Sequence, residues 1–415
     1  MGEKNNIPQI RFNGFDESWE VKKLGEIGFT YSGLFGKSKI DFGHGEGKYI
    51  TYMNIFSNPI TNVDITAPIE IDINQNEVEF GDVFFTTSSE TPEEVGMTSV
   101  WLGSGKNTYL NSFCFGYRLT EELDSYFIAY LLRSFNTRKK ITYLAQGISR
   151  YNISKNKVMQ ICISRPKISE QYHIGSYFQN LDKLITLQQQ KHDKLVTLKK
   201  AMLDKMFPTE GADVPEIRFM GFTGDWDEEK LGDIGYTYTG LTGKTKADFG
   251  HGNGKYITYM NVFSNPVADN DITEAIEVDN NQNKVQFGDV FFTTSSETPE
   301  EVGMSSVWLK NCHNTYLNSF CFGYRPNIKV DNYYFAYLLR STVIRKRIIF
   351  LAQGISRYNI SKNKVMEISV PLPNLEEQKQ IGSYFQNLDK LISLHQQEIQ
   401  KLKNIKKACL EKMFV

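Results

Sequence analysis

The chain is nearly one sequence repeated twice, at a constant offset of 207 residues. The run Phe80–Met97 returns unchanged as Phe287–Met304, and Leu144–Met159 returns unchanged as Leu351–Met366. A repeat of this length is a whole domain, because solenoid repeats are only ~20–50 residues long. The sequence therefore predicts two like domains and a partner that offers the same feature twice.

Bulk composition narrows the class of protein. The 415 residues are 40% hydrophobic and 13% aromatic, which is typical of a globular and not of a disordered chain. No apolar run approaches the ~20 residues of a membrane span, and the first residues show no signal-peptide core. The five cysteines lack metal-site spacing. We therefore expect a cytoplasmic protein without disulfide bonds.

The charge balance is close to neutral, with a net charge of −1 and a pI of about 6.6. Nucleic-acid binders are usually more basic, so the bulk charge argues weakly against one. It does not exclude one, because local basic patches make the phosphate contacts.

Each copy consists of a strand-rich domain followed by a long helix. Lys48–Asn54 and Asp82–Thr87 are short and rich in aromatic or β-branched residues, which predicts strands. Phe127–Arg133 and Phe335–Arg340 are predicted helices. The predicted limits are residues 1–166 for the first domain, 167–207 for its long helix, 208–373 for the second domain and 374–415 for its long helix.

The two long helices carry a heptad pattern. Asn374 can cap the second helix, with Glu377 three residues later as in a capping box. Apolar residues then recur at steps of four and three, which predicts a coiled-coil seam. The seam residues of the first helix are Ile174, Phe178, Leu181, Ile185, the polar Gln188 and His192, Leu195, Met202 and Met206. Those of the second helix are Ile381, Phe385, Leu388, Ile392, His395, Ile399, Leu402, Cys409 and Met413. At ~1.5 Å per residue each helix is ~50 Å long. We expect the helices to pair, the alternative being that each packs on its own domain.

No catalytic constellation is evident. Nucleotide-binding loops and the usual hydrolase and metalloprotease motifs are missing. The glycine-rich segments Phe42–Lys48 and Phe249–Lys255 are interpreted as turns, with phosphate contact or a metal site as alternatives. The carboxylates of Glu90, Glu93 and Glu94 lack the further Asp and Lys of a nuclease site. We predict no catalytic, cofactor or metal site.

Several polar segments carry groups that bind nucleic acids. Hydroxyls of Thr86–Thr91 can bond phosphates or base edges, and Gln146–Asn152 combines amide, guanidinium and aromatic groups. Lysines around the glycine-rich segment can neutralise phosphates. Ordinary polar loops and solvated charges are the alternatives. The candidate DNA-binding residues are Lys37, Lys39, Lys48, Tyr52, Asn54, Thr87, Ser88, Ser89, Glu90, Gln146, Ser149, Arg150 and Tyr151, with their copies Lys244, Lys246, Lys255, Tyr259, Asn261, Thr294, Ser295, Ser296, Glu297, Gln353, Ser356, Arg357 and Tyr358.

The order of motifs resembles a known family. Leu24-Gly25-Glu26-Ile27 precedes an aromatic, strand-rich domain with a Gly-Asp-Val-Phe-Phe strand. The segment Pro371–Ile381 (Pro-Leu-Pro-x-Leu-x-Glu-Gln-x-x-Ile) then leads into the long helix. The first copy keeps Pro166 and Glu170-Gln171 but loses Pro-Leu-Pro. This doubled arrangement resembles the DNA-specificity subunit of type I restriction–modification systems along essentially the whole chain.

The resemblance implies an α+β fold: two mixed α/β target-recognition domains, each followed by a long helix, with the helices packed antiparallel and a pseudo-twofold internal repeat. It implies a non-catalytic, cytoplasmic subunit that binds double-stranded DNA and docks two methyltransferase subunits. S-adenosylmethionine, ATP and Mg would then act in the methyltransferase and motor–nuclease subunits. The alternative function is a two-module scaffold that binds a repeated protein or glycan ligand.

Overall fold

The computed structural model describes residues 6–415, which form two compact units. The first unit contains the residues up to Gln189 together with Gln397–Val415, and the second contains Gln190–Gln396. The division falls inside both long helices, so each unit combines the start of one helix with the end of the other. The predicted domain limits lie at the helix ends instead, and they remain predictions.

The first unit is built on two small sheets. Its strands are β1 (Glu20–Lys23), β2 (Gly28–Ser32), β3 (Phe42–Ile50), β4 (Thr66–Ile69), β5 (Val83–Thr86), β6 (Ser88–Ser89), β7 (Thr98–Val100), β8 (Thr108–Leu110), β9 (Cys114–Leu119), β10 (Tyr151–Asn152) and β11 (Cys162–Arg165). Its helices are α1 (Tyr52–Ser57), α2 (Ser125–Leu131), α3 (Phe135–Tyr143), α4 (Lys155–Val158) and the beginning of α5 (Ile168–Lys205). An antiparallel sheet has the order β2-β9-β5-β7, a mixed sheet has the order β4-β3-β8, and β1-β11 and β6-β10 form separate pairs.

The second unit repeats this order. Its strands are β12 (Asp227–Lys230), β13 (Gly235–Thr239), β14 (Phe249–Ile257), β15 (Thr273–Ile276), β16 (Val290–Thr293), β17 (Ser295–Ser296), β18 (Ser305–Val307), β19 (Thr315–Leu317), β20 (Cys321–Pro326), β21 (Tyr358–Asn359) and β22 (Ser369–Leu372). Its further helices are α6 (Tyr259–Ser264), α7 (Asn332–Leu338), α8 (Thr342–Phe350), α9 (Lys362–Met366) and the beginning of α10 (Leu375–Lys412). The sheet orders match those of the first unit strand for strand.

Strand β5 is buried on both faces, which explains its unbroken apolar sequence. Val83 and Phe85 pack in one core with β9 and α2, whereas Phe84 packs in a second core with β3 and α1. Each such buried side chain contributes ~1.5–3 kcal/mol. The strand predicted over Asp82–Thr87 is therefore confirmed.

The aspartate of the Gly-Asp-Val-Phe-Phe motif is structural. Asp82 is buried and accepts hydrogen bonds from Tyr31 Oη at 2.6 Å, Arg118 Nε at 2.9 Å and the Glu79 backbone N–H at 2.7 Å. Asp289 repeats the set with Tyr238 and Arg325. Burial beside the carboxylate raises the pKa of Tyr31 well above its ordinary value. This aspartate stabilises the β2–β9 edge of the sheet through internal hydrogen bonds.

Two sequence predictions around β3 are wrong. The strand predicted over Lys48–Asn54 ends at Ile50, and α1 begins at Tyr52, because Thr51 Oγ1 accepts the Asn54 backbone N–H and caps a helix. The predicted glycine-rich turn at Phe42–Lys48 is part of β3, with a register shift between Phe42 and Gly47. Its glycines supply positive φ angles of 91° at Gly43 and 97° at Gly45.

The Glu-Gln pair at the start of each long helix ties that helix to its domain. Gln171 Nε2 donates to the Pro166 carbonyl at 2.8 Å, and its Oε1 accepts the Asp124 backbone N–H at 3.1 Å. Glu170 accepts two hydrogen bonds from Arg11 at 2.7 and 2.8 Å. These contacts explain the motif in physical terms, since a buried carboxylate needs a paired cation.

The second copy repeats these contacts and decides the capping prediction. Asn374 Oδ1 accepts the Glu377 backbone N–H at 3.0 Å, so Asn374 caps α10 as predicted. The Glu377 carboxylate is bound by Arg218 at 2.6 and 2.8 Å. The predicted capping box is therefore wrong in its second half, because an ion pair holds the glutamate.

The predicted heptad seam is the buried face of the helices. Ile174, Phe178 and Leu181 are buried in the first unit, and Ile381, Phe385 and Leu388 are buried in the second. Ile185 and Ile392 are only half-buried. None of the helices within residues 6–415 combines the length and the apolar sequence that a membrane span requires.

Helices α5 and α10 pair antiparallel inside each unit. In the first unit Tyr177 Oη lies 3.5 Å from Cys409 Sγ, and Asp182 pairs with Lys406 at 2.5 Å. Partner numbers fall as the α5 numbers rise, which defines the antiparallel sense. In the second unit Lys199 pairs with Asp389 at 2.5 Å, while the ring of Phe207 stacks on Phe385 farther along. The predicted pairing is confirmed.

Candidate nucleic-acid interface

Helix α1, strand β6 and the segment around Arg150 enclose a pocket of about 290 Å³ in the first unit. The pocket is lined by Tyr52, Met53, Phe56, Ser88, Ser89, Glu90, Glu94, Phe113 and Arg150. The rings of Tyr52 and Phe56 stack at 5.9 Å on one wall. Predicted residues from three distant segments therefore come together here.

Most hydroxyl groups of this region are bonded within the unit. Tyr52 Oη donates to the Ser88 carbonyl at 2.8 Å, Thr87 Oγ1 to the Phe113 carbonyl at 2.7 Å, and Ser89 Oγ to Glu94 at 3.2 Å. Their copies Tyr259, Ser295, Thr294 and Ser296 make the same bonds. These residues shape the pocket, while the side chains of Glu90 and Glu297 remain exposed.

Residues 146–152 form a tight hairpin beside the pocket. The backbone N–H groups of Gln146 and Asn152 each donate to the other's carbonyl at 2.9 Å. Strand β10 pairs antiparallel with β6, with Tyr151 opposite Ser89. Tyr151 is half-buried, whereas Gln146 and Ser149 are exposed. The hairpin of residues 353–359 in the second unit has the same backbone bonds, with Ser356 exposed and Tyr358 half-buried.

Gly147→Ala should open this hairpin locally. Gly147 has a φ of 144°, and an added Cβ would overlap the Arg150 carbonyl oxygen. A strain of roughly 1–2 kcal/mol in the closed hairpin of the variant raises the fraction of molecules with an open hairpin roughly 5- to 30-fold. We expect hydrogen exchange at the Gln146 and Asn152 amides to accelerate by that factor.

Gly14→Ala is the matched control, because Gly14 also has a positive φ, of 92°, with nothing within 4 Å of the added Cβ. It should leave the hairpin amides unchanged. Equal exchange at both amides in Gly147→Ala and in the unsubstituted chain would show that Gly147 does not hold the hairpin.

Arg150 is the cation that this hairpin presents to solvent. Its side chain is exposed and makes no hydrogen bond or ion pair with any residue of the described range 6–415. Arg357 is exposed and unpaired in the same way in the second hairpin. Both guanidinium groups are therefore available to an external partner that accepts hydrogen bonds.

Two arginines that the sequence did not single out position the pocket. Arg133 Nη2 donates to the carbonyls of Ile55, Phe56 and Asn58 at 2.8–2.9 Å, which holds the end of α1. Arg138 donates to the carbonyls of residues 93, 95 and 96 and so holds the loop after β6. Burial lowers the pKa of Arg133 to about 9 and that of Arg138 to about 10, so both stay charged at neutral pH.

Arg340 and Arg345 repeat these contacts in the second unit. The only sequence signal for Arg133 is its position at the end of the apolar segment that forms α2. The carbonyls it binds are up to 78 residues away in the chain, which no local pattern reveals.

The predicted lysines lie outside the pocket lining. Lys37 is half-buried and pairs with Asp72 at 2.8 Å, and Lys244 pairs with Asp279 at 2.7 Å. The exposed, unpaired lysines are Lys39, Lys48, Lys246 and Lys255. The four exposed lysines are available to phosphates, whereas Lys37 and Lys244 stabilise their own loops through these ion pairs.

Asn54 and Asn261 are structural. Asn54 is buried, and its amide donates to the carbonyls of Asn62 and Ile65 at 2.8 and 2.7 Å. Asn261 does the same with Asp269 and Ile272. Their amides have no free group for a base, so both residues are left out of the interface proposed below.

No group of three or more His, Cys, Asp or Glu side chains within residues 6–415 is arranged to hold a metal ion.

The model of the type I restriction modification DNA specificity domain matches residues 16–197 and 223–404. This chain belongs to that family. The family resemblance noted in the sequence is therefore confirmed, and the chain is a type I specificity subunit.

Similar proteins agree with this assignment. The type I restriction enzyme MjaX specificity subunit of Methanocaldococcus jannaschii is 23% identical over 446 residues, covering 97% of this chain and 94% of the relative. The crystal structure of the type I system S subunit from M. genitalium gives a TM-score of 0.51 at 16% identity, covering 99% of both chains. A chain from a structural study of complex assembly and conformational transition in a type I restriction–modification system gives a TM-score of 0.57 at 17% identity. The match covers 94% of this chain and 96% of that chain. These structures support the α+β fold.

Proposed function

We propose that this specificity subunit binds duplex DNA and that each unit reads one half of a bipartite target. The observation that carries the proposal is the exposed, unpaired guanidinium of Arg150 and of Arg357 on identical hairpins. A two-stranded β-ribbon fits the major groove, where arginine can bond O6 and N7 of guanine. Gln146, Ser149 and Glu90, with Gln353, Ser356 and Glu297, supply further exposed polar groups.

The exposed lysines complement this reading surface. Lys39, Lys48, Lys246 and Lys255 are free to contact phosphates, which position a protein on DNA without reading sequence. They supply local positive charge on a chain whose net charge is only −1. Internal hydrogen bonds and strand pairing beside the exposed polar groups are made by Tyr52, Thr87, Ser88, Ser89 and Tyr151, and we infer that these residues and their copies position the reading surface.

We infer that the two half-sites are alike. Every residue that lines the pocket in the first unit has an identical copy 207 positions later. The copies differ at Phe35 and Thr242, at Ile40 and Ala247, and at residues 103–105 and 310–312, none of which line the pocket. Because the family resemblance implies a pseudo-twofold relation, two equal half-sites would form an interrupted palindrome.

The long helices are the proposed docking surface for two methyltransferase subunits. Leu184 and Leu187 are exposed on α5, and their copies Leu391 and Leu394 are exposed on α10. Leucines spaced by three residues lie on one helix face, and an exposed apolar face of this kind is typical of a protein–protein contact. Their repetition in both copies supports one partner for each copy.

Catalysis is proposed to reside in partner subunits. The buried Asp82 and Asp289 are bonded internally, and the sequence carries no nucleotide or methyltransferase motif. S-adenosylmethionine would then be bound by the methyltransferase subunits, and ATP and Mg by motor–nuclease subunits that join through them. The purified chain alone should neither methylate nor cut DNA.

A salt series tests DNA binding. The chain, purified with its methyltransferase subunits, is titrated into labelled duplex carrying the target, at increasing NaCl concentration. Four lysines at phosphates predict a slope of log K against log[salt] of roughly −4, at ~0.9 per phosphate. A slope near zero would indicate a protein or glycan ligand and overturn the proposal.

Arg150→Ala should weaken binding to the cognate duplex by ~1–3 kcal/mol and relax base choice in one half-site only. Arg357→Ala should relax the other half-site. The measurement is the affinity of each variant for duplexes in which one half-site or the other carries a base change, compared with the affinity of the unsubstituted chain for the same duplexes.

Arg150→Lys is the control, because lysine keeps the charge but loses the two-pronged hydrogen-bond geometry. If lysine restores full affinity and specificity, Arg150 contacts a phosphate and not a base. Unchanged affinity in Arg150→Ala would remove the hairpin from the interface.

A further inference from the structure

We propose, on the basis of the DNA-binding function above, that Ile148 and Ile355 each recognise the 5-methyl group of a thymine in the major groove. Ile148 is 95% exposed and Ile355 is 96% exposed, at the tips of the two hairpins. Each lies two residues before the unpaired arginine of its unit. The hairpin would thus carry one polar and one apolar reading group.

The exposure of Ile148 occurs on an ordered backbone. The reciprocal bonds of Gln146 and Asn152 close the hairpin, and β10 anchors it to β6. Because so little of the side chain is covered, Ile148 contributes almost nothing to the packing of its unit. Because these bonds already hold the backbone on both sides of the tip, little backbone entropy is lost when the exposed side chain makes a contact.

The two copies provide an internal comparison of exposed isoleucines. Ile73 is 93% exposed, and its copy is Asn280. Ile40 is also largely exposed, and its copy is Ala247. Within residues 6–415, isoleucines more than 80% exposed are thus replaced in the other copy at two positions and kept in both copies at the hairpin tip, whereas the half-exposed pair Ile65 and Ile272 is also kept.

The chemistry of the groove selects the ligand. An isoleucine side chain has no hydrogen-bonding group, so it needs an apolar partner. Among base-edge groups in the major groove the thymine methyl is the apolar one, and the minor groove offers none. The exposed side chains of Met53 and Phe113 lie at the same pocket as Arg150 and add apolar surface beside the hairpin.

Deoxyuridine substitution tests this inference, because uracil lacks only the 5-methyl group. Each thymine of the target duplex is replaced in turn, and binding to the complex of the full chain with its methyltransferase subunits is measured. One position in each half-site should weaken binding about fourfold, the factor equivalent to ~0.8 kcal/mol for a buried methyl group. Deoxyuridine in the spacer between half-sites should have no effect.

The variant Ile148→Ser with Ile355→Ser should bind thymine and uracil duplexes equally, while Ile73→Ser keeps the fourfold preference. If no position distinguishes thymine from uracil although the duplex binds, the inference is overturned and DNA binding stands. The inference is also overturned if the double variant retains the preference, or if it loses affinity equally for both duplexes. Failure of the complex to bind either duplex would overturn both proposals.

Discussion

Replacing Phe178 by alanine should lower the free energy of unfolding by ~3–5 kcal/mol. Phe178 is fully buried where α5 meets its domain and the end of α10. Its ring stacks on Tyr130 at 4.9 Å and on Phe414 at 5.6 Å. Truncation to alanine would leave a cavity between α5, α2 and the end of α10, and these three elements cannot all move inward to fill it.

Urea denaturation of the full chain measures this effect, and Phe385→Ala is the equivalent change in the second unit. Phe385 packs on Tyr337 at 5.1 Å and on Phe207 at 5.9 Å, so the two losses should be similar. Tyr172→Ala is the control, because this tyrosine of α5 is exposed and should change stability by less than ~0.5 kcal/mol. A loss below ~1 kcal/mol for Phe178→Ala would mean that the helix junction is not a core.

Two base changes in either half-site should weaken binding by ~2–6 kcal/mol, at ~1–3 kcal/mol per mismatched pair. The two half-sites should respond equally, because the pocket residues and hairpins of the two units have the same sequence. Mapping of the methylated bases in a genome that carries this system identifies the target, which we expect to be an interrupted palindrome with half-site centres roughly one helical turn apart.

Affinity measurements with each half-site altered separately complete this test. A duplex with the same changes in the spacer should bind as the target does. Two half-sites without an inverted-repeat relation would contradict the proposal that identical hairpins read identical bases. A difference of one base between otherwise equal half-sites would direct attention to the positions where the copies differ, such as Glu46 and Asn253.

Local signals in the sequence predicted some elements well. The heptad steps and the Asn374 cap predicted α10, because both act within a few residues along the chain. The same reasoning failed at Tyr52, whose aromatic neighbours favour a strand while the Thr51 cap favours a helix. Two local preferences competed there, and the packing of α1 on β5 resolved them.

Burial of polar side chains could not be predicted in the same way. Arg138 and Arg150 are only twelve positions apart, yet Arg138 binds three carbonyls and Arg150 binds none. Asn54 looked like a base-reading amide, but carbonyls eight and eleven residues away occupy it. Such partners come from chain segments that only the fold brings together.

By itself, the sequence determined that two equal domains exist, where the long helices lie and which family the motifs resemble, because identity at a fixed offset and helical periodicity are properties of the chain alone. The tertiary structure decided which of the candidate groups are free to bind. Each unit takes the end of the other copy's helix into its core. Hydrogen bonds between residues 26 to 78 positions apart hold several of the segments around the pocket. Hydrogen bonds and burial between such distant residues left Arg150, Arg357 and the two isoleucines exposed, and no local pattern encodes that outcome.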